Sequence, residues 1–176
     1  MSEGRLAAVA AAALVLLAAV GAEAAGGPAA DTRPVTIALG GGEQGRWELF
    51  GRRTRRGELC VGLENAASSG EGCGRPLVDG NRIGLGTSTG CETGTFVYGF
   101  LSRRVARLRV SYGGGTLQWA KIYKSPSRLK FRGRFFLARR SKPRVVTGVR
   151  AFDAKGRSLQ RIRLEEDFNS PGTGCP

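Results

Sequence analysis

The residues whose types and spacing could do chemistry are few, and most fail on context. Gly86-Thr87-Ser88-Thr89-Gly90 matches the G-x-S-x-G pattern of a nucleophile elbow. An elbow needs a strand before the serine, a helix after it and a histidine base within reach. The following Cys91-Glu92-Thr93-Gly94-Thr95 starts no helix, and the chain contains no histidine. Gly84-x-Gly86 with Gly90 lacks the β-α-β setting and the spacing of a phosphate-binding loop. Glu165-Glu166-Asp167 are adjacent acids, and nothing marks them as the opposed pair of a glycosidase. They read better as a solvated acidic cap that answers part of the basic charge. A histidine-free hydrolase, with Ser, Lys or carboxylates converging in a deep cleft, is the remaining catalytic alternative. The expectation is no catalytic residue, no metal and no cofactor.

Four cysteines, Cys60, Cys73, Cys91 and Cys175, carry the other recognisable chemistry. They form no C-x-x-C pair, and without histidine a zinc site is not expected. An even number in an exported chain points to two disulfides, for which three connectivities exist. Leu59, Val61 and Leu63 alternate with Cys60, so the apolar set faces the core and Cys60 faces outward. That favours a local bridge from Cys60 to Cys73. Cys91 then pairs with Cys175 and tethers the C-terminal tail 169–176, which has neither strand nor helix pattern.

Charge is the third feature. The formal net charge is +14. Fifteen Lys or Arg and no acid lie between Thr93 and Phe152. The densest run, Arg139-Arg140-Ser141-Lys142-Pro143-Arg144, reads as a loop because of its proline and its clustered charge. Arg107, Arg109, Lys130, Arg132 and Arg134 are expected on outward strand faces. With Arg103 and Arg104, these residues form the candidate polyanion-binding set. Anionic envelope polymers, acidic glycans or phospholipid head groups are the expected ligand classes, and export argues against nucleic acid as the natural one. The competing explanation is compositional. Arg outnumbers Lys 23 to 5 in a chain rich in Ala and Gly, the pattern of a GC-rich genome using Arg as its default exposed cation.

The elements that must position these groups begin after residue 24. Met1–Arg5, an apolar run from Leu6 to Ala22 and Ala22-Glu23-Ala24 outline a secretory signal peptide. The run is 17 residues and mostly alanine, short of the roughly 20 apolar residues of a spanning helix. A secreted protein is therefore expected, with retention by an uncleaved N-terminal anchor as the alternative. Residues 25–33 read as a flexible lead-in and 34–176 as one domain. Apolar residues alternate at period two in short segments near 35–39, 46–49, 58–64, 105–112, 130–137, 145–152 and 158–164, with further strands near 82–86, 95–101 and 117–123. Gly113-Gly114-Gly115 and Asp153-Ala154-Lys155-Gly156 supply hairpin turns. The fold predicted is an all-β antiparallel sandwich of about eight to ten strands in two sheets, immunoglobulin-like in the broad sense.

Trp47-Glu48-Leu49, Gly57-Glu58-Leu59-Cys60-Val61-Gly62-Leu63-Glu64, Gly72-Cys73-Gly74, Tyr98-Gly99-Phe100 and Ala151-Phe152-Asp153-Ala154-Lys155-Gly156-Arg157 occur in an order that resembles exported all-β proteins of GC-rich actinobacteria. The resemblance covers roughly 45 to 160. It implies a compact exported domain and implies no activity. The functional expectation is a non-catalytic exported domain that binds anionic envelope polymers through 103–144. A structural or protein-interaction module, whose charge serves only solubility, is the alternative.

Overall fold

The computed structural model describes residues 33–42, 45–66, 68–75 and 83–164. The predicted leader, the lead-in up to residue 32, the acidic cap 165–167 and Cys175 lie outside the described residues. No helix of the described residues is long and apolar enough to cross a membrane.

Twelve strands among the described residues form three four-stranded antiparallel sheets. The first sheet is a meander of β1 (Val35–Gly40), β2 (Trp47–Arg53), β3 (Leu59–Asn65) and β4 (Ser69–Gly74). The central sheet runs in the order β5 (Ile83–Gly90), β6 (Gly94–Leu101), β10 (Arg134–Arg140), β9 (Lys121–Lys124). The third runs β12 (Ser158–Arg163), β11 (Val146–Phe152), β7 (Arg107–Tyr112), β8 (Leu117–Trp119). The predicted all-β antiparallel class and the two hairpins are present. The two-sheet expectation is corrected to three layers, with more strands than the eight to ten predicted.

The third layer follows from strands β6 and β10. Every residue of β6, Gly-Thr-Phe-Val-Tyr-Gly-Phe-Leu, is buried. Successive side chains on a strand point to opposite faces, so an unbroken apolar run needs cover on both. Phe96, Tyr98 and Phe100 of β6, with Phe135 and Leu137 of β10, pack against Leu49, Leu59, Val61 and Leu63 of the first sheet. Val97 and Leu101, with Phe136 and Ala138, pack against Leu108, Val110, Val149 and Ala151 of the third. Each large apolar side chain buried this way contributes about 1.5–3 kcal/mol.

Strands β8 and β9 are separated by a single residue, Ala120, at which the chain leaves the third sheet and joins the central one. The Ala120 N–H donates to the Leu108 carbonyl at 2.9 Å, so the corner stays hydrogen-bonded to β7. At the other end of the third sheet, Asp153 Oδ1 accepts from the Arg157 N–H at 2.8 Å and Gly156 adopts φ +82°, which closes the β11–β12 hairpin.

Cys60 and Cys73 face each other directly across β3 and β4 and are joined by a disulfide. Cys60 lies on the opposite strand face from Leu59, Val61 and Leu63, as period two requires, but it is fully buried. Glu71 lies against the bridge. Arg52, opposite Cys60 on β2, donates to both Glu71 carboxylate oxygens at 2.7 and 2.5 Å. Cys91 is also disulfide-bonded, and its predicted partner lies outside the described residues.

Candidate functional site

The predicted polyanion-binding residues are dispersed by the fold. Arg103 and Arg104 are exposed in the turn between β6 and β7. Arg107 and Arg109 stand on the outer face of the third sheet, as expected. Lys130 and Arg132 are not on a strand, which corrects that expectation. Lys130 ends a 3-10 turn over Ser127–Leu129 in the left-handed region (φ +46°), and Arg132 lies in the loop that follows. Arg134 opens β10 and donates from Nη1 to the Val105 carbonyl at 3.3 Å.

Arg139 and Arg140 correct the loop reading of the densest cluster. They complete β10, pairing with Phe96 and Thr95 of β6. As neighbours on a strand they point to opposite faces of the central sheet. The Arg139 guanidinium lies 5.3 Å from the Phe96 ring centroid, and that of Arg140 lies 5.3 Å from the centroid of Tyr112. Lys142 and Arg144 are exposed in the β10–β11 loop, which Thr95 Oγ1 anchors by accepting from the Arg144 N–H at 2.8 Å. Arg139 is five residue steps along the strand from Arg134, about 17 Å, so segment 103–144 does not present one surface.

The cations that do converge lie on the outer face of the third sheet. Arg161 is opposite Arg150, Arg150 is opposite Arg109, and Arg109 is opposite Trp119, so one register row crosses all four strands. The next row holds Arg163, Gly148, Ser111 and Leu117. On the other side Phe152 is opposite Arg107. Like charges opposed on a sheet repel. Aromatic rings interleaved between them offset part of that cost. The guanidinium carbons of Arg107 and Arg109 lie 5.4 and 5.7 Å from the Trp119 ring centroid. Those of Arg109 and Arg150 lie 5.5 and 5.7 Å from that of Phe152. Contacts of this kind are each worth about 0.5–1 kcal/mol at exposed sites. Arg150 Nε also donates to Ser158 Oγ at 3.0 Å. The result is a ladder of arginines in which Arg107, Arg109 and Arg150 are held by stacking.

Between the two rows runs a cleft of about 410 Å³, lined by Arg109, Arg150, Arg161 and Arg163, with Ser111 and Gly148 among the residues between them. None of the described residues lining it is acidic. Gly148 is required here, because a Cβ would lie 2.5 Å from the Ile162 carbonyl oxygen. Arg109 Nε is buried with no hydrogen-bond partner. A buried donor left unpaired costs about 1–3 kcal/mol, and the guanidinium is packed against the Trp119 and Phe152 rings. No family model, curated protein or solved structure matches this chain.

A second cleft, of about 570 Å³, lies between edge strand β1 and the β8–β9 corner. Leu39, Trp47, Trp119, Lys121, Tyr123 and the predicted Arg139 are among its lining residues, and none of those described is acidic. Burial raises the Tyr123 phenol above its ordinary value, so the ring meets the cleft as a neutral group. Trp119 contacts Arg109, which lines the first cleft, so one arginine–indole stack joins the two.

Neither described cleft brings a serine, a lysine and a carboxylate together. Ser88 of the G-x-S-x-G match sits within β5, followed by a turn and then β6, and its Oγ is 2.9 Å from Ser68 Oγ. The strand-turn-helix geometry of an elbow is therefore not there. Cys60, Glu71 and Cys73 come within metal-ligating reach of one another, but both sulfurs are bonded to each other and Arg52 occupies the carboxylate.

Sequence reasoning placed Arg107 and Arg109 and missed Arg150, Arg161 and Arg163 as members of the same face. Their signal was present: Arg150-x-Phe152 and Arg161-x-Arg163 are period-two pairs on the two arms of the Asp153–Gly156 hairpin. The aromatic partners Trp119 and Phe152 had no local signal, because only strand pairing brings them beside the arginines.

Proposed function

We propose that this chain is an exported, non-catalytic β-domain, immunoglobulin-like in the broad sense, that holds anionic envelope polymers on the outer face of its third sheet. The supporting observation is the row Arg161–Arg150–Arg109, with Arg163 beside it and no described carboxylate in the cleft. Guanidinium forks suit carboxylate, sulfate and phosphate oxygens, and the stacked rings hold those of Arg109 and Arg150 in place before a ligand arrives, which lowers the ordering cost of binding. The resemblance to exported actinobacterial β-domains agrees with such a location.

Binding of the full chain to polyphosphate, followed by calorimetry across a salt series, tests this. Four contacts predict that affinity falls about a hundredfold between 50 and 200 mM salt. Salt-insensitive binding, or no binding to any polyanion, rejects the reading. The competing module with a protein partner draws on Leu39, Leu117 and Trp119, which are exposed and lie close to the two clefts. It predicts that reversing Arg150 and Arg161 leaves partner binding intact.

A further inference from the structure

We infer that the two clefts form one continuous track and that its ligand is an acidic glycan, with acid groups on the arginine ladder and a sugar ring packed at Trp119; this rests on the anionic-ligand reading above. The three large apolar side chains exposed among the described residues are Leu39, Leu117 and Trp119, at 63%, 51% and 50% exposure. None is scattered. Leu117 lines the first cleft, Leu39 and Trp119 line the second, and the Arg109 guanidinium lies over the Trp119 ring. Within the width of one side chain the surface therefore passes from a cleft lined by arginines to one where apolar and aromatic side chains stand beside Lys121 and Arg139.

That juxtaposition discriminates among polyanions. A polyphosphate has no apolar face and gains nothing by touching Leu39 or Trp119. A sugar ring presents a patch of C–H groups on one face and polar groups around its edge, which matches an indole bordered by arginines. Single-stranded nucleic acid needs a series of open rings for successive bases. Trp119 is the one aromatic residue exposed among those described, while Trp47 and Tyr123 are largely packed into the domain. A peptide adding a strand needs a regular free edge. Strand β1 has a register shift between Thr36 and Ala38, and β9 is four residues long with lysine at both ends, devices that discourage strand addition.

The test uses the full chain and four probes of known composition: an oligogalacturonate, polyphosphate of matched charge, an oligothymidylate and a neutral oligosaccharide. Trp119→Ala should weaken oligogalacturonate binding about tenfold and polyphosphate binding by only about threefold, through loss of the stacking that holds Arg107 and Arg109. Leu39→Ser, remote from the ladder, should weaken the glycan alone by about threefold. Titration of the wild type should shift the Trp119 indole resonance more with the glycan than with polyphosphate, which reaches the ring only through Arg107 and Arg109.

If polyphosphate binds and oligogalacturonate does not, or if Trp119→Ala and Leu39→Ser weaken both equally, the glycan inference falls and the anionic face stands. Tightest binding of oligothymidylate, with the largest loss on Trp119→Ala, overturns it in favour of nucleic acid. Binding of the neutral oligosaccharide as tight as the acidic one overturns the role of the arginines. If no polyanion binds, both readings fall.

Discussion

Two arginine-bearing regions behave in opposite ways. Strand β10 carries arginine at both ends, and its last two residues begin the densest basic run in the chain. Yet it lies in the central sheet, and its arginines are split up: Arg134 bonds a carbonyl, while Arg139 and Arg140 diverge onto rings on opposite faces, Arg139 also lining the second cleft. The outer face of the third sheet takes single arginines from three strands and stacks them in register. Density along the chain is thus not density in space. A strand sends neighbours apart by 180°, while strand pairing brings residues distant in sequence to about 5 Å.

The largest effect that would sharpen this contrast is a core truncation within β10, between its arginines. Phe136→Ala should cost about 3–5 kcal/mol in a urea melt, with polyanion affinity unchanged in the fraction that stays folded. A small cost would mean that β10 is not the two-sided layer described. Next, Arg150→Glu with Arg161→Glu should lower polyphosphate affinity about a hundredfold or more while moving stability by only about 0.5 kcal/mol. If the same pair unfolds the domain, the ladder is structural and the contrast disappears.

A third effect lies on the β10 side and is read by pH. The Tyr112 phenol donates to Gln118 Oε1 at 3.1 Å, and Gln118 Nε2 donates to the Arg139 carbonyl at 3.1 Å. Burial pushes the Tyr112 phenol up to about 12, against a smaller opposing pull from Arg140. The neutral phenol is the folded form, so its contribution is complete below pH 10. It is lost as pH rises from about 10 towards 12, to a total of about 2–3 kcal/mol. Tyr112→Phe should flatten that part of the stability curve, and an unchanged slope would place the alkaline loss elsewhere. The smallest effect is expected at the exposed β10–β11 loop. Lys142→Glu with Arg144→Glu should weaken polyphosphate binding by no more than about threefold, through the long-range field alone. A loss as large as that of Arg150 and Arg161 would restore the loop as the site.

Much of the strand inventory was legible in the sequence, because alternation at 59–63, 107–112 and 158–163 is a local signal. The Cys60–Cys73 bridge was legible for the same reason: facing parity and a short loop together pointed to it. The number of layers was not read. It was encoded in the unbroken apolar run of β6, whose two-sided burial depends on what packs above and below. The site was half legible. Arg107 and Arg109 could be placed on an outward face from their own strand. That Arg150 and Arg161 lie in the same row depends on the pairing of β7 with β11 and of β11 with β12, a non-local choice. The cluster at 139–144 misled because clustered charge and a proline suggested a loop, while pairing with β6 kept its first two residues in the sheet.

The single-residue corner at Ala120 has a mechanical consequence. Trp119 and Lys121, one ending a strand of the third sheet and the other starting a strand of the central sheet, are two peptide units apart, within about 7 Å. Both line the aromatic cleft, so the step from one sheet to the next inside that cleft is set by covalent geometry at the seam. Tension on a polymer lying there would pass through the backbone at that corner, and the indole and the ammonium would keep their spacing as the layers breathe.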